Sequence, residues 1–289
     1  MSFTQDLKAQ LCIKDGGCSM CDISELSAML RLLTSYSKSG AVIATENEDV
    51  LERVRSLLFK VFKKEFEYRN RNGSFRIKID GDFFTDVLAP RLVLFGEDRR
   101  LFTKECCRGS YIRGMFLVAG SVSDPKKQYH MEFDIKHKGY AEKLCQVLKK
   151  TGISSKITEN KGRSVVYIKE YGGIADCLGV MGAVGTAMEI YNISIEKEFR
   201  NQANRQSNCE VANIEKVTKA ASQQLEAIKK IEKKMGLEEL PETLQEIAAL
   251  RKQYPDESLK ELGERLSPPI GKSGVNHRLK RIEEIAETL

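Results

Sequence analysis

A short segment near the C-terminal end of the chain contains four cationic side chains and one side-chain amide. Residues 270–281 read IGKSGVNHRLKR, with four Lys and Arg residues and no acidic residue. In the major groove of DNA, an asparagine can bond to adenine, and an arginine can bond to guanine or to a phosphate. The run therefore predicts a surface that contacts DNA. His277 has no other ligand-type residue nearby, which favours a phosphate or surface histidine over a metal ligand.

Three predicted helices would position this run. Apolar residues recur at helical spacing in LPETLQEIAALRKQYP, DESLKELGERL and SGVNHRLKRIEEIAETL, with Pro241 at the first start and Ser273 as candidate N-cap of the third. Gly263 would let another helix approach closely. This order predicts a helix-turn-helix, although the turn from Ser267 to Lys272 exceeds the usual three or four residues. The alternative is a plain three-helix bundle with a basic edge.

The predicted DNA-contacting residues lie on the second helix, in the turn and on the start of the third helix. They are Ser258, Lys260, Lys272, Ser273, Gly274, Asn276, His277, Arg278, Lys280 and Arg281. A stripe at helical spacing, Asn201, Asn204, Arg205 and Asn208, lies further upstream. Amides in a helix interior carry a propensity cost, which favours a hydrogen-bonding role with DNA phosphate or, slightly more, with the neighbouring domain.

Two pairs of cysteines could bind a soft metal ion. Cys18-x-x-Cys21 is a weak signal alone, because a structural zinc ion needs four ligands and the chain has no second C-x-x-C. A site that recruits Cys106 or Cys107 is conceivable, but buried thiols near helix starts are the favoured interpretation. We therefore predict no metal and no cofactor. Eight cysteines in 289 residues do not indicate a disulfide scaffold, because a chain of this length can form a core.

The N-terminal two thirds of the chain contain an internal repeat. The order helix, two strands, helix, two strands, helix begins at ELSAMLRLLTS and again at IRGMFLVAGS, about 86 residues later. The turns NRNG and NKG mark hairpins at matching places. A closing helix, interrupted at Pro90, ends the first unit. Cys21 and Cys107 also occupy matching positions, which supports the duplication.

Two αββαββα units, each opened by an apolar helix that ends in small residues, resemble the LAGLIDADG homing-endonuclease fold. The resemblance implies two packed motif helices, two sheets that form a saddle over DNA, and an acidic metal ligand ending each motif helix. In Ile112–Ser121 that position holds Ala119, and in Leu26–Ser35 it holds Leu33. Neither side chain can hold the hard cations of phosphodiester hydrolysis. The sequence therefore predicts no nuclease activity.

The sheet surface offers a secondary candidate contact with DNA. In SFRIKID, Arg76 and Lys78 alternate with apolar residues, so both cations share the open face of one strand. An ordinary solvated face is the alternative, because the same alternation in YHMEFDI places Glu132 and Asp134 outward, where they would repel phosphate.

The composition is that of an ordinary globular protein, 41% hydrophobic and 30% charged, with a formal net charge of +6. With so mild a charge, any contact with nucleic acid must come from a local patch. No run approaches 18 uninterrupted apolar residues, and MSFTQDLKAQ lacks a basic segment before an apolar core. We therefore expect a cytoplasmic, nucleoid-associated protein without a membrane partner.

The strings NRQSNCEVAN and SLKELGERL…GKSGVNHRLKRIEEIAE, after a duplicated acid-free domain, closely resemble the bacterial WhiA family over essentially the whole chain. Membership implies a transcription regulator tied to sporulation, cell division or chromosome segregation, with its helix-turn-helix from about Ser258 to Arg281. Its expected partner is double-stranded DNA. A second possible partner is another regulatory protein that binds to the N-terminal domain. The alternatives are a protein-interaction scaffold with weak DNA binding and a residual metal-dependent endonuclease.

These patterns predict an α+β protein with three segments. Residues 1–195 would form the duplicated αββαββα, LAGLIDADG-like domain, with repeats at about 20–100 and 106–190. Residues 196–236 would form a helical linker, and residues 237–289 an all-α helix-turn-helix domain.

Overall fold

The computed structural model describes residues 2–37, 40–96 and 99–289. The chain divides into two compact units, Met1–Lys197 and Glu198–Leu289. Each unit encloses its own cluster of buried apolar side chains. None of the described helices is both long enough and apolar enough to cross a membrane.

The first unit contains the two predicted repeats. After α1 (Phe3–Cys12), the first repeat consists of α2 (Ser19–Leu33), β1 (Thr34–Ser37), β2 (Gly40–Thr45), α3 (Glu48–Phe62), β3 (Tyr68–Arg71), β4 (Ser74–Asp80), a π-helical segment (Phe83–Leu88) and α4 (Ala89–Leu92). After a 3-10 turn (Arg99–Phe102), the second consists of α5 (Glu105–Ala119), β5 (Gly120–Val122), β6 (Met131–Ile135), α6 (Lys138–Lys150), β7 (Lys156–Asn160), β8 (Arg163–Ile168) and α7 (Tyr171–Met181).

The two sheets have the same topology, which confirms the predicted duplication. Their strand orders are β1-β2-β4-β3 and β5-β6-β8-β7, with every adjacent pair antiparallel. The turn between β3 and β4 is Asn72-Gly73 and that between β7 and β8 is Lys161-Gly162, all four with positive φ. Two-residue turns of this kind match the twist of the strands that they join. The predicted α+β class and αββαββα order are therefore confirmed.

The prediction that Pro90 interrupts the closing helix of the first repeat is wrong. Pro90 lies in the first turn of α4, directly after the π-helical segment, and the helix continues to Leu92. The missing N–H of Pro90 falls where the hydrogen bonding changes from π-helical to α-helical, so the helix passes through the proline. The helix ends where Val93 adopts a left-handed conformation, with φ of 51°.

The opening helices of the two repeats, α2 and α5, pack directly against each other. A Cβ atom on Gly114 of α5 would lie 2.5 Å from the carbonyl oxygen of Glu25 and 2.9 Å from Cβ of Ala28, both in α2. These distances are shorter than van der Waals contact, so glycine is required at this crossing. The small-residue contact expected of a paired motif helix is therefore present.

The second unit is all-helical. Its elements are the C-terminal part of α8 (Val184–Lys234), a 3-10 turn (Leu237–Glu239), α9 (Glu242–Gln253), α10 (Leu259–Glu264) and α11 (Lys272–Thr288). The unit begins at Glu198, so it includes most of the segment predicted as a linker. Ile228 and Ile231, three residues apart on one side of α8, are fully buried in its core.

Candidate nucleic-acid interface

Helix α11 packs against the core of the second unit through one face only. Val275, Leu279, Ile282 and Ala286 are buried, at spacings of four, three and four residues. They pack in one cluster with Leu262 of α10. This spacing keeps the apolar side chains on one face of the helix and leaves the opposite face to solvent.

Helix α10 begins with a capping box. The Ser258 hydroxyl accepts a hydrogen bond from the backbone N–H of Glu261, and the backbone N–H of Ser258 donates to the Glu261 carboxylate at 2.7 Å. These hydrogen bonds lower the pKa of Glu261 below its ordinary value of 4.5. Ser258 therefore has a structural role at the start of α10, in addition to the DNA contact predicted for it.

The connection between α10 and α11 comprises residues 265–271, longer than an ordinary helix-turn-helix turn. The prediction of Ser273 as the N-cap of α11 is wrong. Gly271 is the N-cap, with an extended backbone, and its carbonyl oxygen accepts from the N–H of Val275 at 3.2 Å. Ser273 lies inside the first turn with an exposed side chain, because the helix starts at Lys272, three residues before its first buried apolar residue, Val275.

The outward side of α11 carries most of the predicted contact residues. Lys272, Asn276 and Lys280 form one row of exposed residues at intervals of four, and Ser273, His277 and Arg281 form the next row. Gly274 and Arg278 are half-buried, as is Ser258, whereas Lys260 of α10 is exposed. The first acidic residue of α11 is Glu283, so this part of the helix presents cations, an amide and a hydroxyl without a carboxylate.

Three of the predicted cations already have partners. The guanidinium of Arg278 donates to the carbonyl oxygen of Thr243 at 3.3 Å and lies 3.9 Å from the Glu246 carboxylate, so it supports the packing of α11 on α9. Arg281 pairs with Glu284 at 2.9 Å, and Lys260 lies 3.8 Å from Glu264. Lys272, Asn276, His277 and Lys280 make no hydrogen bond or ion pair with any residue that the structure describes.

A buried arginine holds the loop that precedes α10. Arg251 is 1% exposed, and its guanidinium donates to the carbonyl oxygens of Pro255 at 3.2 Å and Glu257 at 2.7 Å. Burial lowers the pKa of Arg251. The guanidinium can be buried at this position because the two loop carbonyl groups accept its hydrogen bonds.

The open face of the first sheet carries two cations in addition to those predicted on β4. Arg76 and Lys78 are exposed on β4, as predicted from the alternation with buried Ile77 and Ile79. Arg69 of β3 lies directly opposite Arg76, and Arg71 opposite Ser74. Both arginines are exposed. Among the described residues, no acidic side chain pairs with any of these four cations. The missed signal was the short run YRNR.

The second sheet differs because both outward carboxylates of β6 already have partners. Asp134 of β6 accepts a hydrogen bond from Arg163 of β8 at 2.6 Å, and Glu132 pairs with His130 at 3.1 Å. Asp134 is exposed and Glu132 half-buried, as the alternation in β6 predicted. A cationic face is therefore a property of the first sheet.

The C-terminal ends of α2 and α5 border a cavity of about 540 Å³. Leu33 and Ala119, the last residues of these helices, both line it. Among the described residues that line the cavity, Asp134 supplies the only carboxylate, and that carboxylate is paired with Arg163. A hard divalent cation needs several oxygen ligands, so these residues do not fit the metal of a LAGLIDADG nuclease.

The predicted amide stripe lies on α8. Asn201, Asn204, Arg205 and Asn208 are all exposed. Their spacing places them on neighbouring turns of the helix, so they remain a candidate secondary contact surface.

Four cysteines, from two distant parts of the sequence, converge in the first unit. The sulfur atoms of Cys18, Cys21, Cys106 and Cys107 all lie within 4.8 Å of one another. Burial raises the pKa of the Cys18 thiol, but hydrogen bonds from neighbouring thiols and backbone N–H groups outweigh burial and lower the value to about 7. Burial raises the pKa of Cys107. Ordinary buried thiols near helix starts were the favoured prediction, and the convergence of all four cysteines was not predicted.

Comparison with known proteins places both units in one family. The WhiA C-terminal HTH domain matches residues 203–286, and the WhiA LAGLIDADG-like domain matches residues 108–200. The probable cell division proteins WhiA of Clostridium novyi and Clostridium acetobutylicum are 38% and 39% identical to this chain. Each of these alignments covers 100% of this chain and 98% of the relative.

Solved structures agree with this assignment. Full-length WhiA from Thermatoga maritima is 25% identical and superposes with a TM-score of 0.63, covering 100% of this chain and 99% of that chain. The N-terminal LAGLIDADG domain of WhiA, 20% identical, has a TM-score of 0.51 over 63% of this chain and 92% of its own, which shows the shared fold. The chain therefore belongs to the WhiA family.

Proposed function

We propose that this protein is a sequence-specific, DNA-binding transcription regulator that lies on the nucleoid in the cytoplasm and lacks nuclease activity. The observation that carries the proposal is the first part of α11, residues 272–281, where Lys272, Asn276 and Lys280 are exposed and no residue is acidic. The resemblance to the WhiA family implies roles in sporulation, cell division or chromosome segregation. Relatives that carry the name probable cell division protein favour cell division among these processes.

The proposed contacts follow from the chemistry of each side chain. The major groove admits one α-helix, and an asparagine amide can make two hydrogen bonds to adenine there. Asn276 is the proposed base-reading residue because it lies in the middle of the exposed row, between Lys272 and Lys280. The two lysines flank it as phosphate contacts, which fix the position of the helix but carry no sequence information. None of the three has a hydrogen bond or ion pair to break with the residues that the structure describes.

The cationic face of the first sheet is the proposed secondary contact surface. Four cations present their charges on one face of this sheet: Arg69, Arg71, Arg76 and Lys78. In the pairing of β3 with β4, Arg69 lies opposite Arg76 and Arg71 lies opposite Ser74. Phosphate attraction requires no fixed geometry, so such a face can strengthen binding to any sequence. The exposed amides and guanidinium of α8 would add hydrogen-bond donors in the same sequence-independent way.

Two substitutions on α11 separate base reading from phosphate contact. Asn276→Ala is expected to weaken binding to a preferred fragment by about 5–150-fold, equivalent to about 1–3 kcal/mol, and to leave binding to unrelated DNA unchanged. Lys280→Ala is expected to weaken binding to both, and to reduce the slope of log affinity against log salt by about 0.9. Fluorescence anisotropy on genomic fragments selected by chromatin immunoprecipitation measures both effects.

The matched control is Lys229→Ala, which removes one exposed positive charge from α8 in the same unit. Equal losses for Lys280→Ala and Lys229→Ala would indicate a general charge effect and would contradict a recognition role for α11. Unchanged affinity in both α11 variants would favour the alternative of a protein-interaction scaffold. Arg278→Ala is a poorer test, because its contacts with α9 would be lost at the same time.

The absence of nuclease activity is a separate part of the proposal. Supercoiled plasmid incubated with the protein and Mg²⁺ or Mn²⁺ is expected to remain uncut, because Leu33 and Ala119 offer no oxygen ligand for the metal. Asp134→Asn is the control, since Asp134 is the one carboxylate among the described residues lining the cavity. Nicking that disappears in this variant would show that the cavity is catalytic, whereas nicking that persists in it would indicate a contaminant.

A further inference from the structure

The four converging cysteines lie at the same end of the paired helices α2 and α5. Cys18 is the N-cap of α2 and Cys21 lies in its first turn, while Cys106 and Cys107 lie in the first turn of α5. The backbone N–H of Cys21 donates to the carbonyl oxygen of Cys18 at 2.9 Å, and that of Cys107 to the carbonyl oxygen of Lys104 at 3.1 Å. The two helix starts therefore have the same local geometry, one from each repeat.

The distances between the sulfur atoms match a tetrahedral site. Cys18 Sγ lies 3.5 Å from Cys21 Sγ, 3.7 Å from Cys107 Sγ and 4.0 Å from Cys106 Sγ, and Cys21 Sγ lies 4.0 Å from Cys107 Sγ. Four sulfur atoms, each about 2.3 Å from a central zinc ion, lie about 3.8 Å from one another in a tetrahedron. A disulfide bond would need about 2.0 Å.

The chemistry of the ligands selects the kind of metal. Four sulfur ligands in tetrahedral geometry suit Zn²⁺, whereas Mg²⁺, Ca²⁺ and Mn²⁺ prefer oxygen ligands. An iron–sulfur cluster occupies the space between its cysteines and divides them among two or four iron atoms, so it requires a wider arrangement than this one. A single ion therefore fits the observed spacing.

The helix starts and the exposure of one cysteine suit the binding of a cation. Partial positive charge at the N-terminal ends of α2 and α5 stabilises negative charge on sulfur. The chain before α2 lies against the cluster, since a Cβ atom on Gly16 would be 2.5 Å from Cβ of Cys21. Cys21 and Cys107 are buried, but Cys106 is exposed, so one side of the cluster is open to solvent.

We infer that Cys18, Cys21, Cys106 and Cys107 bind one structural Zn²⁺ ion that joins the two repeats. Binding displaces the thiol protons to solvent and forms four zinc–sulfur bonds, with no change of oxidation state. The ion cross-links Cys18 and Cys106, which are 88 residues apart in sequence, at the opposite end of the helix pair from Leu33 and Ala119. The fold that has lost its oxygen-ligand metal positions thus has a sulfur-ligand site at the other end of the same helices.

Metal analysis of the untagged, full-length protein tests this inference. Inductively coupled plasma mass spectrometry is expected to find one zinc per chain in the wild type. Replacing zinc with Co²⁺ is expected to produce the intense visible absorption of tetrahedral cobalt bound to thiolates. Cys106→Ser removes an exposed ligand and is expected to weaken zinc affinity by about 100-fold, because a structural site depends on all four of its thiolate ligands together.

The matched control is Cys209→Ser, which removes an exposed cysteine of α8 that is outside the cluster. It is expected to retain one zinc per chain and the cobalt spectrum. Added zinc is expected to raise the thermal midpoint of the metal-free wild type and of Cys209→Ser, with little effect on Cys106→Ser. Because Cys106 is exposed, this variant is expected to fold, and circular dichroism checks that it does.

Several results would overturn the inference. One is wild-type protein that takes up no zinc while all eight thiols react with a thiol reagent. A second is bound zinc that Cys106→Ser and Cys18→Ser leave unchanged. A third is iron instead of zinc in the same stoichiometry. A fourth is a disulfide among the four cysteines in protein purified under reducing conditions, detected by mass spectrometry of unreduced peptides.

Discussion

Glu25→Ala is expected to lower the free energy of unfolding of the first unit by about 3–5 kcal/mol, because it leaves two buried guanidinium groups without their shared carboxylate. Glu25 of α2 is fully buried. It accepts hydrogen bonds from Arg53 of α3 at 2.7 and 2.8 Å and from Arg113 of α5 at 2.5 and 3.1 Å. The network joins the two repeats, so its loss weakens their packing as well as the local charge balance.

Urea unfolding followed by far-UV circular dichroism measures this change, since the chain contains no tryptophan. Hydrogen exchange of amides in α2 and α5 assigns the transition to the first unit. The control is Glu52→Ala, which breaks the exposed 2.8 Å pair between Arg55 and Glu52 and is expected to cost about 0–1 kcal/mol. Equal effects for the two variants would show that the Glu25 network contributes no more than a surface pair.

Replacement of all three members of the network is a further arm of the same experiment. Apolar residues at positions 25, 53 and 113 would remove every buried charge together, and such replacements often restore stability. Full recovery is not expected, because Arg53 also donates to the carbonyl oxygen of Lys14 at 2.6 Å and Arg113 to that of Met181 at 3.0 Å. Those carbonyl groups would lose their partners.

Local periodicity was sufficient to predict the elements and their order. Alternation in β4 identified Arg76 and Lys78 as exposed, and the turns at Asn72-Gly73 and Lys161-Gly162 identified the hairpins. Helical spacing likewise placed Val275, Leu279 and Ile282 of α11 in the core. Each of these features depends on residues a few positions apart, and the chemistry of such neighbours is visible in the sequence.

Features that depend on distant residues could not be predicted in this way. Glu25 and Arg113 are 88 residues apart, and nothing in the local pattern of either indicates a partner. For the cysteines, the matching places of Cys21 and Cys107 in the two repeats were a partial signal. They became informative only when the packing of α2 on α5 brought the repeats together at their N-terminal ends. In a duplicated fold, a residue at the contact between the two repeats can therefore meet its equivalent from the other repeat.

The second large effect is expected for Gly263→Val in the helix-turn-helix. A Cβ atom at Gly263 would lie 2.2 Å from the carbonyl oxygen of Ile270 and 3.0 Å from Cγ2 of Val275. The first contact is with backbone, so α10 and the segment before α11 must move apart. The same movement breaks the hydrogen bond from the N–H of Ile270 to the carbonyl oxygen of Gly263. We expect a loss of about 3 kcal/mol in the stability of the second unit.

The matched control is Gly271→Ser, at the N-cap of α11. A Cβ atom there meets nothing within 4 Å, and serine is a favourable N-cap, so its stability is expected to equal or exceed that of the wild type. Thermal unfolding and fluorescence anisotropy measured together distinguish the roles of the residues. Gly263→Val should lose stability and DNA binding together, whereas Lys280→Ala should lose binding alone. Full DNA affinity in a destabilised Gly263→Val protein would mean that the position of α11 on α10 does not determine recognition, and the contact surface would then have to be sought on the first sheet.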